Sequence, residues 1–140
     1  MAYDENNIFA KILRDEIPAI KLYEDEHTLS FMDIMPQAEG HCLVIPKVAA
    51  ETIFDLPSGY GDACIATVQK VGTALKKAFA TNGVVIYQLN GTDAGQTVPH
   101  LHFHLLPTSL GSLMSGRRHA SEMADPEQLK VIADKIVAAL

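Results

Sequence analysis

Apolar residues along this chain change their period several times, and each change marks an element. Ile8, Phe9, Ile12 and Leu13 recur at helical spacing behind Asn6 and Asn7, either of which can act as a cap. The pattern predicts a short helix to about Asp15, ended by Pro18. Period-two alternation then runs over 19–24 and 28–33, on either side of the acidic turn Glu24-Asp25-Glu26, and predicts two strands of a meander. A turn over 35–40 leads into a third strand, 41–45, closed by Pro46. Residues 57–81 read as a long helix with Ile65, Val68, Val71, Leu75 and Phe79 on its apolar side, bracketed by Pro57 and Asn82-Gly83.

The β-branched run 84–89 predicts a fourth strand, and 90–96 is a turn bearing Gly and Asp. A fifth strand is expected over 98–107, where Pro99 is tolerated because it opens the strand. Residues 108–124 have no period and carry Gly111, Gly116 and serines, so they read as a mobile loop. Asp125-Pro126 begins a final helix with Leu129, Ile132, Ile136 and Val137 on one side. Strands in hairpin order, with one long helix between the third and fourth, predict an antiparallel α+β fold of about five strands. One domain over 1–140 is expected, with its core in 6–107 and the C-terminal helix in 125–140.

Composition narrows the partners. Apolar residues make up 48% of the chain and charged residues 20%, which suits a globular domain. A formal charge of −6 argues against a nucleic-acid partner, because the phosphate backbone needs a broad basic surface. A small anion held by local donors stays possible. No apolar run approaches the ~18 residues that a membrane span needs, and the first residues lack the basic-then-apolar order of a signal peptide. Cys42 and Cys64 have neither metal-type nor redox-type spacing, and read as reduced, buried thiols of a cytoplasmic protein.

Chemistry concentrates in one place. Three of the six histidines, His100, His102 and His104, alternate with Leu101, Phe103 and Leu105. The apolar set predicts a core face, and the imidazoles form a row on the opposite, wet face. A single zinc cannot gather the row, because alternate residues stand ~6.7 Å apart and the outer two ~13 Å. An adjacent pair could ligate a metal only with a third group, for which His41 is the candidate. Nucleophilic attack on phosphorus fits the row better. One ring nitrogen attacks while the other keeps its proton on an acceptor, and flanking donors meet the reacting group. The turn Asp93-Ala94-Gly95-Gln96-Thr97 adds backbone N–H groups, a hydroxyl and an amide beside it.

The run Gly95-Gln96-Thr97-Val98-Pro99-His100-Leu101-His102-Phe103-His104-Leu105-Leu106 resembles the signature of the histidine-triad (HIT) family. Upstream, Asn7-Ile8-Phe9-Ala10-Lys11-Ile12, Phe31-Met32-Asp33-Ile34 and His41-Cys42-Leu43-Val44-Ile45-Pro46-Lys47 are similar to its Hint-like branch, so the likeness spans about residues 6–107. The resemblance implies a HIT-like sheet and a covalent nucleotidyl intermediate on His102, later cleaved by water. It implies that His104 and Thr97 contact the phosphate or the leaving group, with Gln96 beside them. His100 would orient the nucleophile, with His41 as a second supporting residue across the sheet. Alternation puts His41, Leu43 and Ile45 on one face, so His41 reaches the triad only if that face is the active one.

The family's nucleoside slot matches Ile8, Phe9, Ile12, Phe31 and Leu43, with Asp33 on the ribose hydroxyls. A carboxylate can accept from both of those hydroxyls. Asn90 matches a phosphate-contacting position only if one residue is missing from the following turn. Zinc-binding relatives carry Cys-x-x-Cys where this chain has Asn7-Ile8-Phe9-Ala10, and often a histidine where it has Ala49, so no metal and no cofactor are expected.

For the activity, the Hint-like resemblance implies hydrolysis of a purine nucleoside phosphoramidate at the α-phosphorus, by a homodimer whose two sheets join. Ala94-Gly95-Gln96-Thr97-Val98 also resembles the Fhit-like branch, which cleaves dinucleoside polyphosphates. A nucleotide-binding module with little turnover is the third reading. Arg117, Arg118 and His119 could reach over the site, though they read first as a solvated basic cluster.

Overall fold

The computed structural model describes residues 2–115 and 123–140. Five strands form one antiparallel sheet: β1 (Lys21–Glu24), β2 (Thr28–Met32), β3 (Cys42–Pro46), β4 (Val85–Gln88) and β5 (Phe103–Leu106). Their spatial order is β1-β2-β3-β5-β4, so β5 lies between β3 and β4. Four α-helices complete the described chain: α1 (Ile8–Leu13), α2 (Tyr60–Ala78), α3 (Leu110–Met114) and α4 (Pro126–Ala138). Asn7 caps α1 by accepting from the Ala10 N–H, and Asp125 caps α4 by accepting from the Glu127 N–H.

The sheet is covered on both faces, and that decides where the site lies. On one face Met32, Cys42, Val44, Phe103 and Leu105 pack beneath α2 and α4. On the other, Leu29, Phe31, Leu43 and Ile45 pack against Phe9 and Ile12 of α1. Every residue of β2 and β3 is therefore buried, whichever way it points. His41, preceding β3, shares the α1 face with Leu43, and Leu43 pairs in register with His104.

Four expectations change. The histidine ladder begins at Phe103 rather than residue 98, because Pro99 has no N–H and the Leu101 N–H bonds instead to the Ala50 carbonyl. The histidine face is not wet: His100 and His102 are buried, since α1 and the N-terminal segment lie over them. Helix α2 packs through Cys64, Val68, Val71 and Leu75, leaving Ile65 48% exposed, and α4 through Leu129, Ala133 and Ile136, with Val137 turned outward. Val68, Val71, Leu75, Leu129 and Ile136 pack as expected, while the small residues Cys64 and Ala133 complete the stripes where Ile65 and Val137 do not. The segment expected as a loop contains α3, capped where Ser109 Oγ accepts from the Ser112 N–H. Arg117, Arg118 and His119 lie outside the described residues.

Candidate active site

The approach to β5 sets up the central imidazole. His102 Nδ1 lies 2.6 Å from the His100 carbonyl, which can only accept, so Nδ1 keeps the proton and Nε2 keeps a lone pair. Burial lowers the His102 pKa, so the ring stays neutral. The Phe9 ring meets it edge-on at 4.9 Å between centroids. This is an imidazole with one nitrogen committed, on a ring that helps to line a cavity.

His104 is held from two sides. Tyr87, its register partner on β4, stacks on it at 4.1 Å and 11°. His41 Nε2 lies 2.9 Å from His104 Nδ1. The direction of that bond follows from the far side of His41, where Nδ1 accepts the Gln37 N–H at 3.1 Å. Burial holds His41 down to about 4, so it has one ring proton, and that proton must sit on Nε2. His41 therefore donates to His104 Nδ1, and His104 keeps its own proton on Nε2. Tyr87 closes the ring of contacts, because its hydroxyl donates to Gln37 Oε1 at 2.8 Å. Burial pushes that phenol up to about 12, so it remains a donor.

Asp33, His41 and His104 bring ligand atoms within 4.8 Å of one another. The donor set does not suit a cation. His41 would have to give up its Nε2 proton while Nδ1 still accepts from Gln37, leaving an imidazolate. At the chain's start Asn7 and Ala10 offer no thiolate for zinc, and the Asn7 amide is spent on Ala10, Tyr3 and the Asp4 carbonyl.

A cavity of about 410 Å³ opens over these groups, within the size range usual for small-molecule sites. Ile8, Phe9, Ile12, Phe31 and Leu43 form an apolar slot on one side, with Asp33 in the same wall. Thr97, His41, His102 and His104 also line it. Burial raises the Asp33 pKa, against the Met35 N–H that its carboxylate accepts. No lysine or arginine lines this cavity among the described residues.

Three sequence-predicted residues lie outside the cavity lining. His100 is buried behind it, with Nε2 donating to the Pro46 carbonyl. Gln96 braces the turn: its Oε1 accepts the Gly91 N–H, and its amide donates to the Glu51 and Val98 carbonyls. Asn90 faces the other way, accepting from the Ile53 N–H and exchanging bonds with Gln88. Asn90 lies past the end of β4, where these bonds to Ile53 and Gln88 fix its side chain. Tyr3, Gln37 and Tyr87 were not anticipated. Period two along β4 could have placed Tyr87 on a face, whereas nothing local marks Tyr3.

Comparison with known proteins agrees with this geometry. Residues 14–110 match the HIT domain. The chain is 36% identical to Protein hit of Bacillus subtilis over 97% of its own length and 95% of the relative's. It is 35% identical to the adenosine 5'-monophosphoramidase HNT1 of Candida albicans, over 97% and 92% of the two lengths. A crystal structure of a Hit-like protein from Bartonella henselae superposes with a TM-score of 0.91 at 44% identity, covering all of both chains. With the signature, the sheet and the matched length in agreement, the chain belongs to the HIT family.

Proposed function

We propose that this protein hydrolyses a purine nucleoside phosphoramidate at the α-phosphorus through a covalent intermediate on His102. The observation that carries the reading is the bond from His102 Nδ1–H to the His100 carbonyl, which leaves Nε2 as a buried, neutral nucleophile at the cavity wall. Its lone pair forms the new P–N bond. The P–N bond to the amine breaks, and the leaving nitrogen takes its electron pair and a proton from solvent, with His104 Nε2–H donating a hydrogen bond to it. Water then attacks phosphorus and returns one proton to solvent; its oxygen stays on the nucleotide, and the P–Nε2 bond breaks with its electron pair going back to His102. Thr97 adds a hydroxyl beside the phosphate. Ile8, Phe9, Ile12, Phe31 and Leu43 hold the base, and Asp33 accepts from the ribose hydroxyls.

Relatives in Candida albicans and Schizosaccharomyces pombe are named adenosine 5'-monophosphoramidases, which supports this chemistry. The lack of lysine and arginine in the described lining favours a phosphoramidate over a dinucleoside polyphosphate, whose added charges would be unpaired there. The working form is a homodimer joined through the free edge of β4. Free, buried Cys42 and Cys64 support a cytoplasmic setting.

The test is a panel of adenosine phosphoramidates and diadenosine polyphosphates, run with the wild-type protein and His102→Ala. Phosphoramidate turnover should dominate, and fall by at least about 10³-fold in the variant, the scale for loss of an attacking side chain. Faster cleavage of diadenosine polyphosphates would move the protein to that class. Nucleotide binding with no turnover would leave a binding module.

A further inference from the structure

The segment before α1 reaches across the molecule to His100, 97 residues away. Tyr3 bonds through its hydroxyl to His100 Nδ1 and stands edge-on to the ring at 5.7 Å. The direction of every bond here can be assigned. His100 Nε2 lies 2.9 Å from the Pro46 carbonyl, an acceptor only, so the proton is on Nε2. Burial lowers His100 to about 4, so at neutral pH the ring carries that one proton and Nδ1 accepts. Tyr3 is therefore the donor. Its oxygen accepts in turn from Asn7 Nδ2 at 2.8 Å, and Asn7 Oδ1 accepts the Ala10 N–H at 2.8 Å.

A directed chain results: Ala10 N–H to Asn7, Asn7 to Tyr3, Tyr3 to His100, and His100 to Pro46. It locks the His100 side chain, and the His100 carbonyl is the acceptor that fixes the His102 tautomer. We propose that Tyr3, oriented by Asn7, is a positioning residue for the nucleophile, acting through His100 to hold the carbonyl that keeps the His102 proton on Nδ1. The proposal rests on the reading of His102 as the nucleophile. Tyr3 itself does not line the cavity.

Its consequence is specific to hydrogen-bond direction. In Tyr3→Phe the ring still packs, but His100 Nδ1 loses its donor. Asn7→Asp keeps the helix cap, because Asp caps as well as Asn. It offers Tyr3 an acceptor, however, so the hydroxyl turns toward position 7 and away from His100. Both variants should therefore have the same defect by opposite routes, and the double variant should be no worse than either alone.

The experiment uses the intact protein labelled with ¹⁵N-histidine, and a fluorogenic adenosine 5'-phosphoramidate. In the wild type, His100 should show protonated Nε2 and bare Nδ1. In both variants Nε2 should keep its proton on the Pro46 carbonyl while the Nδ1 resonance moves as its donor is lost, and single-turnover nucleotidylation should slow by roughly tenfold with KM unchanged. An unmoved His100 Nδ1 resonance in Tyr3→Phe overturns the proposal, and so does a wild-type rate in both variants. A rise in KM with kcat intact also overturns it, because that is a binding effect. Activity that survives in His102→Ala is a different result: it removes the reading of the nucleophile, while the His100 signature still reports on the Tyr3 link.

Discussion

His41 and His100 are nearly fully buried imidazoles, each held down to about 4 first by loss of solvent. An unfolded histidine titrates near 6.5. Between those two values the unfolded chain binds more protons than the native one, so stability rises with pH. It should be complete above about 6.5 and fall as pH drops toward 4, by on the order of 3 kcal/mol for each ring. Asp33, raised by burial, works in the opposite sense toward the acid end of this window. Urea titrations from pH 7 to 4.5 should show the loss, and His100→Gln should make the slope shallower, with His41 and His102 supplying the rest. A flat profile over that range would contradict the neutral, buried tautomers on which the site depends. Here the residue scale already reaches function, because the two residues that lower stability in acid also set the protons of the site: His41 that of His104, and the His100 carbonyl that of His102.

Among the elements, the turn into β3 carries the tightest steric demand. Gly40 has φ +88°, and a Cβ there would lie 2.7 Å from the Phe79 ring and 2.8 Å from Pro107. The next residue is His41, whose N–H bonds back to the Ala38 carbonyl. Gly40→Ala should cost about 3 kcal/mol, from overpacking together with left-handed backbone strain. It should also lower turnover by displacing His41 from His104. Thermal unfolding and the same fluorogenic assay read both effects, and a loss under about 1 kcal/mol would refute the packing argument. The elements themselves were legible in the chain: five strands, helices α1, α2 and α4, a cap at Asn6 or Asn7 and one at Asp125 follow from periods and cap residues. The packed stripe of α2 was less so, since Cys64 and Thr67 are buried where Ile65 is exposed. Period shows that a helix has a face, but the shape of the partner surface selects which residues fill it.

For the whole molecule, the sheet has two edges, β1 and β4. Among the described residues strand β4 has no pairing partner beyond β5, and Ile86 on it is 47% exposed. An open edge with an apolar side chain invites a second copy, and joining two such edges would give one continuous sheet. Sedimentation at micromolar concentration should find a dimer, and Ile86→Lys should shift it toward monomer; a monomeric wild type would defeat this.

Local order along the chain was enough to announce the strands, the long helix and the row of three imidazoles, because periodicity is a property of neighbours in sequence. It also placed His41 on the same face as Leu43 before any contact was known. Direction was beyond its reach. Which nitrogen of each ring holds its proton depends on Pro46, Gln37 and Tyr3, groups 54, 4 and 97 residues from the rings they contact. Whether the imidazoles met water or α1 depended on which layer covered the second face of the sheet. Those partners are brought together by burial of the core as a whole, and a bond between distant residues leaves no trace in the spacing of either one.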